Sequence, residues 1–141
     1  MEDTVLHFIE KEHLSVLSVV LGDGSVHSAV VHFSSGVDGT RFYIQTSSTT
    51  VKAEPVLSGD SCFASLAIGF SEQDWVTLQM RGKLRLVAGE DEVQKVQALH
   101  HTKIPDALKR MGPTTIFLEF VPSWFRYTDF QAKPPTIITK K

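Results

Sequence analysis

The chain has 141 residues, a length that fits one domain. Hydrophobic residues make up 42% of it, enough for a core that needs neither a disulfide nor a structural metal. Its 14 Lys and Arg residues against 16 Asp and Glu residues give a net charge of −2, which argues against a nucleic-acid module and gives no electrostatic reason to bind an anionic membrane.

The N-terminal half predicts one helix followed by antiparallel strands. Asp3 or Thr4 is a suitable cap for the helix, which we expect to end near His13. Glycines at both ends of the 22–24 segment predict a tight turn, because glycine adopts positive φ without steric cost. The predicted strands are 14–21, 25–33, 41–46 and 61–69, with a short helix within 47–57.

The C-terminal half begins with the clearest periodicity of the chain. Apolar and polar residues alternate over 75–87, which predicts a long half-buried strand, and Gly82 on the apolar phase indicates a bend or a close backbone approach. Helices are predicted from Glu90 and over 105–110. Two further strands, 114–121 and 123–130, are predicted on either side of Pro122, and we expect the tail to be loosely held. Antiparallel strands with few helices imply a barrel or sandwich.

The lone cysteine and the N-terminus bear on the compartment. Cys62 has no internal disulfide partner, which favours a reducing environment. The start of the chain is acidic, unlike a signal peptide, and its apolar stretches are too short to span a membrane. We therefore expect a soluble, cytoplasmic protein.

Three segments of the chain carry a family resemblance. The first is 17–31, with its Gly-Asp-Gly turn; the second is 42–52, an aromatic strand that leads to a Ser/Thr-x-Lys sequence; the third is 76–87 with Gly82. In this order they resemble the pyridoxamine 5′-phosphate oxidase-like family of FMN-binding split barrels, over roughly residues 8–130. The full oxidases carry Arg where this chain has Val51, and Arg and Lys where it has His27 and His32, and these departures argue against a role in pyridoxine metabolism.

The resemblance implies a mostly β fold, an antiparallel split barrel of the Greek-key type with a few helices. It implies one FMN-binding domain over 1–130, with a C-terminal tail over 131–141. It also implies a homodimer that holds FMN between its subunits and acts as an oxidoreductase on a small molecule. The sequence leaves the substrate and the electron donor open.

The hydroxyl-rich segment before Lys52 is the candidate phosphate site. Thr46, Ser47, Thr49 and Thr50 offer hydroxyl donors, the start of the following helix offers backbone N–H groups, and Lys52 adds a full charge. The alternative is that these are ordinary capping hydroxyls beside a solvated lysine. The family resemblance favours phosphate binding.

Five other residues are candidates for contact with the flavin, and four of them have a structural alternative. His27 would lie near the ribityl-phosphate, or is a histidine at the surface or barrel end. Val30 and Val31 would form a wall beside the ring, or simply pack in the core. Arg81 would reach the phosphate, or lies on an exposed sheet face, and Trp124 would reach the flavin across the dimer.

No residue stands out as catalytic, since the sequence lacks a nucleophile elbow and a glycine-rich phosphate loop. The His100-His101 pair has no further ligands at metal-site spacing, and His32 is expected to be structural. In an enzyme, the cofactor would carry the chemistry. The alternatives are a non-catalytic FMN-binding or stress-related flavin carrier, and a relative that uses the deazaflavin cofactor F420 or haem.

Overall fold

The computed structural model describes residues 1–140, which form a curled antiparallel sheet with two α helices and two 3-10 helices. The α helices are α1 (Asp3–Lys11) and α2 (Glu90–Lys103), and the 3-10 helices span Val51–Val56 and Pro105–Arg110. The strands are β1 (Leu14–Val20), β2 (Val26–His32), β3 (Ser34–Ser35), β4 (Phe42–Ser47), β5 (Cys62–Ile68), β6 (Val76–Leu86), β7 (Thr115–Asp129) and β8 (Thr136–Lys140). This is the expected half-barrel with a few helices.

The strand order explains why the sheet curls. Strands follow one another as β2-β1-β5-β6-β7-β4-β3, every pair is antiparallel, and β8 pairs with β7. The two edges of this order, β2 and β3, are separated in the chain by Phe33 alone. The sheet must therefore bend round until its edges meet, and a seam without a hydrogen-bonded ladder remains between β2 and β4. This seam is the opening of the split barrel.

Strand β7 is one strand where the sequence predicted two. Its residues 118–129 pair with the whole of β6, and a register shift opposite Arg81 and Gly82 leaves Ser123 without a partner in β6. Pro122 is tolerated there because β4 ends its pairing with β7 at Phe120, before β8 begins. The expected close approach at Gly82 is confirmed, since a Cβ on Gly82 would collide with the carbonyl oxygen of Val121.

The C-terminal tail is ordered rather than loosely held. Residues 136–140 form β8, which pairs with residues 125–129 of β7. The prediction was wrong because the two prolines of the tail dominated its composition, while pairing partners are decided by the fold. Lys141 lies outside the described residues.

The main core fills the concave side of the sheet. On β6, Leu78, Met80 and Leu84 point inward, as the alternation predicted. Helix α1 closes this core, and the Phe8 ring meets the Tyr127 ring edge-on at 5.7 Å. Each fully buried side chain of this size contributes about 1.5–3 kcal/mol, so this core is the main source of stability of the half-barrel.

Helix α2 covers the opposite side of the sheet near the seam. Val96 packs with Val87 and Phe117 in a second, small core. The last turn of α2 carries His100, whose Nδ1 lies 2.7 Å from the Ser34 hydroxyl of β3. This contact fixes α2 beside the edge where the sheet closes. Among residues 1–140, no helix is both long and apolar enough to cross a membrane.

Candidate functional site

A pocket of about 310 Å³ lies at the seam between β2 and β4. Its walls come from both edges of the seam, from the first 3-10 helix, and from α2 and the second 3-10 helix. The lining residues are Leu14, Val30, Val31, His32, Gln45, Lys52, His100, Ala107 and Arg110. We call it the cationic pocket, because its charged side chains are basic.

Lys52 is the central cation of the cationic pocket. It lies in the first turn of the 3-10 helix that follows β4, and it is half-buried. Burial lowers the pKa of its ammonium. Within residues 1–140, no carboxylate lies within 4.0 Å of Lys52 or of Arg110, at the end of the second 3-10 helix. The pocket thus holds positive charge that no carboxylate of the described residues pairs with.

Two histidines of the pocket differ in their surroundings. His32 is exposed at the end of β2, and its pKa is lowered by desolvation and by the neighbouring charges of Arg110 and His13. His100 is 1% exposed, and burial lowers its pKa to about 4. His100 is therefore neutral near pH 7, and the positive charge of the pocket comes from Lys52 and Arg110.

Gln45 fixes the position of the second 3-10 helix against β4. Its Nε2 donates to the carbonyl oxygen of Ala107 at 2.8 Å, and its Oε1 lies 2.7 Å from Nε2 of His101. Because the amide oxygen only accepts, His101 carries its proton on Nε2 in this arrangement. The bonds to Gln45 hold the helix that presents Arg110 to the pocket.

The hydroxyl-rich segment before Lys52 forms a closed set of hydrogen bonds. The Thr46 and Thr50 hydroxyls lie 3.2 Å apart, and Thr50 donates to the carbonyl oxygen of Ser47 at 2.8 Å. The Ser47 hydroxyl lies 2.8 Å from those of both Thr49 and Thr114. These four predicted residues do not line the cationic pocket, and their hydroxyls are bonded within and beside their own turn.

A second, larger cavity of about 1000 Å³ lies on the outer face of the sheet. It is lined by β1, β2, β5, β6 and β7, and its exposed apolar side chains include Val26, Phe63 and Val121. The guanidinium of Arg81 lies 4.1 Å from the centre of the Trp124 ring within it. We call this cavity the apolar groove. Arg81 and Trp124 thus lie together, but apart from Lys52.

Strand β2 connects the two cavities. Its side chains alternate between the two faces, so Val26, Ser28, Val30 and His32 share the outer face. Val26 lines the apolar groove, whereas Val30 and His32 line the cationic pocket. His27 belongs to the other face, is half-buried opposite Val19, and lines neither cavity.

Gln45, His100 and Arg110 are pocket residues that sequence reasoning missed. The His100-His101 pair was conspicuous, but only as a pair with metal-ligand chemistry. Arg110 gave no signal, because it ends a short helix far along the chain from Lys52. The described part of the chain holds no group of three or more His, Cys, Asp or Glu side chains arranged for a metal.

A charge network lies beneath the first turn of α2, away from the pocket. The Glu119 carboxylate, whose side chain is 2% exposed, accepts from Arg41 at 2.8 Å and from Arg85 at 2.7 Å. Arg85 also donates to Glu92 at 2.6 Å. These bonds raise the pKa of Arg85. Both arginines are neutralised by this chain and are not free to bind an anion.

Solved structures resemble the whole chain. One from Clostridium acetobutylicum, a protein related to general stress protein 26 of B. subtilis in the pyridoxinephosphate oxidase family, is 15% identical, covers 100% of this chain and 96% of its own, and has a TM-score of 0.70. A pyridoxamine 5′-phosphate oxidase-related, FMN binding protein from Nostoc punctiforme is 14% identical, covers 96% and 87%, and has a TM-score of 0.71. A heme binding protein from Mycobacterium smegmatis is 12% identical, covers 100% and 59%, and has a TM-score of 0.73.

These likenesses establish the predicted split-barrel fold, shared with pyridoxamine 5′-phosphate oxidase-family and FMN-binding proteins by structural similarity. No family model matches the chain, and no curated protein matches it in sequence.

Proposed function

We propose that this split-barrel protein binds FMN with its phosphate in the cationic pocket, and that it acts as a homodimeric oxidoreductase on a small molecule. The observation that carries the proposal is Lys52, a half-buried cation that faces a pocket with Arg110 and has no acidic partner within residues 1–140. A phosphate dianion would supply the missing charge. The FMN-binding neighbour from Nostoc punctiforme supports the choice of ligand.

The pocket suits the phosphate end of FMN in charge and in size. Lys52 and Arg110 provide charged donors, and the exposed Val30 provides an apolar surface, whereas Val31, on the opposite face of β2, packs in the main core. A volume of about 310 Å³ is at the small end of ligand sites. It would hold the phosphate and its chain, with the ring beside Val30, which is 67% exposed.

The roles of the side chains follow from this arrangement. Lys52 and Arg110 bind and orient the phosphate, with Gln45 holding the helix that carries Arg110. Val30 would exclude water from one side of the ring. FMN, when bound, supplies hydride or single-electron transfer, so the chain needs no nucleophile of its own. Thr46, Ser47, Thr49 and Thr50 would support the turn that places Lys52, and they would reach the phosphate only by exchanging their present bonds.

A second copy of the chain would complete the site. The outer face of β2 runs from the apolar groove to the cationic pocket, so a copy seated on the groove would lie beside the mouth of the pocket. Phe63 is 68% exposed in this groove, and large exposed apolar patches mark interfaces. Trp124 and Arg81 of one subunit would then face the ring bound by the other. His27, on the inner face, would act only through the packing of β2.

Titration with two flavins tests the phosphate assignment. Wild-type protein and Lys52→Ala are titrated with FMN and with riboflavin, which lacks the phosphate, and binding is followed by the flavin absorption and fluorescence. Loss of a charged hydrogen bond costs about 1.5 kcal/mol or more, so FMN affinity should fall about tenfold or more while riboflavin affinity stays unchanged.

Lys95→Ala is the matched control, because Lys95 is exposed on α2 and lines neither cavity. It should bind both flavins as the wild type does. Equal FMN affinity in wild type and Lys52→Ala would remove Lys52 from the phosphate site, and a wild type that binds neither flavin would overturn the proposal.

Turnover separates an oxidoreductase from a flavin carrier. If the protein is an oxidoreductase, NAD(P)H or another reductant should bleach the bound FMN, and a small-molecule acceptor should reoxidise it. If it is a flavin carrier, it should bind FMN with the same strength but show no turnover.

Sedimentation at several protein concentrations tests the dimer, which Phe63→Lys should weaken by placing a charge in the apolar groove.

Haem binding is the second candidate function. It is favoured by the heme binding neighbour from Mycobacterium smegmatis and by the exposed His32 at the pocket. Haem titration should then give a spectrum that changes in His32→Ala and is indifferent to Lys52→Ala. The FMN proposal predicts the reverse pattern.

A further inference from the structure

His100 is a buried polar side chain in the wall of the cationic pocket. It lies in the last turn of α2, is 1% exposed, and is one of the residues that line the pocket. The rings of His101 and Phe117 pack around it, with centres 6.2 and 6.1 Å from its own. The small part of the ring that reaches solvent therefore does so at the pocket.

The hydroxyl of Ser34 fixes which nitrogen of this ring carries the proton. Ser34 is fully buried, and its Oγ lies 2.7 Å from Nδ1 of His100, the one acceptor that this hydroxyl has within residues 1–140. A buried donor without an acceptor is costly, so Ser34 donates to Nδ1. A neutral imidazole that accepts at Nδ1 carries its own proton on Nε2.

The Nε2–H of His100 opens to the cationic pocket. Among residues 1–140, the hydrogen bond of this ring is made by Nδ1, and no buried side-chain nitrogen or oxygen atom lacks a partner. Nε2 is therefore not sealed in the protein, and the surface that His100 exposes is pocket wall. The pocket thus has an N–H donor that no group of the described residues uses.

This donor differs from the two cations of the pocket. Lys52 and Arg110 attract any anion by their charge, whereas His100 is neutral near pH 7. Its ring is held by Ser34 and by the packed rings, so its N–H is directed at one position. A fixed neutral donor selects a ligand oxygen at that position rather than negative charge in general.

We propose that His100 is a specificity-determining residue of the cationic pocket, and that its Nε2–H donates to an oxygen of the bound phosphate. Lys52 and Arg110 then compensate the charge of the phosphate, and His100 fixes one of its oxygens. Ser34 is a positioning residue, because it acts on the ligand only through the ring. The inference rests on the proposed function for the choice of FMN as the ligand.

NMR of histidine labelled with nitrogen-15 tests the donor in the free protein. Spectra that connect the ring nitrogens with the carbon-bound ring protons distinguish the two neutral forms, and His100 should be in the Nε2–H form. Inorganic phosphate added at constant pH should shift its Nε2 resonance and leave that of the exposed His7, which lines neither cavity, in place. A proton on Nδ1, or an Nε2 resonance that phosphate does not move, would overturn the proposal.

Two amide variants separate the donor from the packing of the ring. The amide nitrogen of His100→Gln reaches the position of Nε2, whereas the shorter amide of His100→Asn reaches only that of Nδ1 and keeps the contact with Ser34. FMN affinity should fall about tenfold or more in His100→Asn and stay within about threefold of wild type in His100→Gln. Riboflavin affinity should be unchanged in both variants.

The outcomes distinguish a failure of this inference from a failure of the proposed function. A wild type that binds neither flavin contradicts the proposed function, and the phosphate titration still decides whether His100 binds an oxyanion. A wild type that binds FMN, with equal losses in the two variants or none in His100→Asn, removes His100 from the phosphate site. Losses for riboflavin as well as FMN would assign His100 to packing alone.

Discussion

Two neighbouring regions of the protein differ in whether their basic side chains are paired with carboxylates. Beneath α2, Arg41 and Arg85 are both neutralised by the buried carboxylate of Glu119, and Arg85 is shared with Glu92. In the cationic pocket, Lys52 and Arg110 have no such partner among residues 1–140.

The difference separates structural charge from charge that is available to a ligand. A buried ion pair is costly to break, because the remaining charge stays without compensation. An unpaired, half-buried cation costs stability in the free protein and recovers it when an anion binds. The sequence shows basic side chains in both regions, and only their partners tell the two kinds of charge apart.

The largest expected effect is a loss of stability in acid, through His100 of the cationic pocket. His100 is neutral in the folded protein down to about pH 4, whereas in the unfolded chain it takes up a proton near pH 6.5. Between these values the unfolded chain binds more protons, so the free energy of unfolding falls as the pH is lowered from 6.5 towards 4. The loss approaches about 3 kcal/mol when complete.

Urea denaturation at several pH values measures this slope. His100→Gln removes the titrating group and should flatten the slope between pH 6.5 and about 4. An unchanged slope in this variant would assign the acid sensitivity to other groups.

Removal of the buried Glu119 carboxylate should lower the free energy of unfolding somewhat less than full protonation of His100 does. Glu119→Gln leaves Arg41 and Arg85 without their shared anion, but both side chains reach water, with exposures of 51% and 38%. We therefore expect a loss of about 2 kcal/mol, below the range for fully buried pairs. Urea denaturation measures it, with the half-exposed Glu92→Gln as the milder control. FMN affinity should not change; a large change would mean that the two regions are not independent.

Removal of the Lys52 charge should raise the stability of the free protein rather than lower it. Lys52→Met removes an unpaired, half-buried ammonium and keeps most of the apolar side chain, so the free protein should gain roughly 0.5 kcal/mol. Thermal unfolding with and without FMN gives both quantities. The variant should unfold at a slightly higher temperature than wild type alone and be stabilised less by FMN. A loss of stability in the free variant would place Lys52 among the structural charges.

The smallest effect is expected at the surface pair of Lys109 and Asp106. Both side chains are about four-fifths exposed, and their charges are 3.6 Å apart. Lys109→Ala should change the free energy of unfolding by about 0.3 kcal/mol or less, and even less at high salt. Denaturation at two salt concentrations checks this. A salt-sensitive loss well above that size would show that the ion pair contributes substantially to stability.

Local sequence patterns were enough to predict most elements of the barrel, but not the continuity of β7 or the presence of β8. The alternation over 75–87 defines β6 and its buried phase, because side chains of a strand alternate between faces whatever its neighbours are. Gly82 marked a close approach for a similar reason, since an inward position without a side chain must be filled by something else. The family resemblance added the split-barrel fold, and the structural neighbours bear it out.

The partners of each element were decided by the tertiary structure. Pro122 lies inside β7, and residues 136–140 pair with that same strand. Both features are possible because β7 is longer than β4 and β8, the two strands that pair with it on the side away from β6. The cationic pocket joins Lys52 with Arg110 only because the sheet closes next to Phe33 and brings β4 and the second 3-10 helix to β2. Composition and periodicity are properties of neighbouring residues, whereas a pocket at a seam depends on contacts between residues far apart in the chain. The sequence therefore determined most of the strands and identified Lys52 as a candidate binding residue. The closure of the sheet decided which side chains surround Lys52.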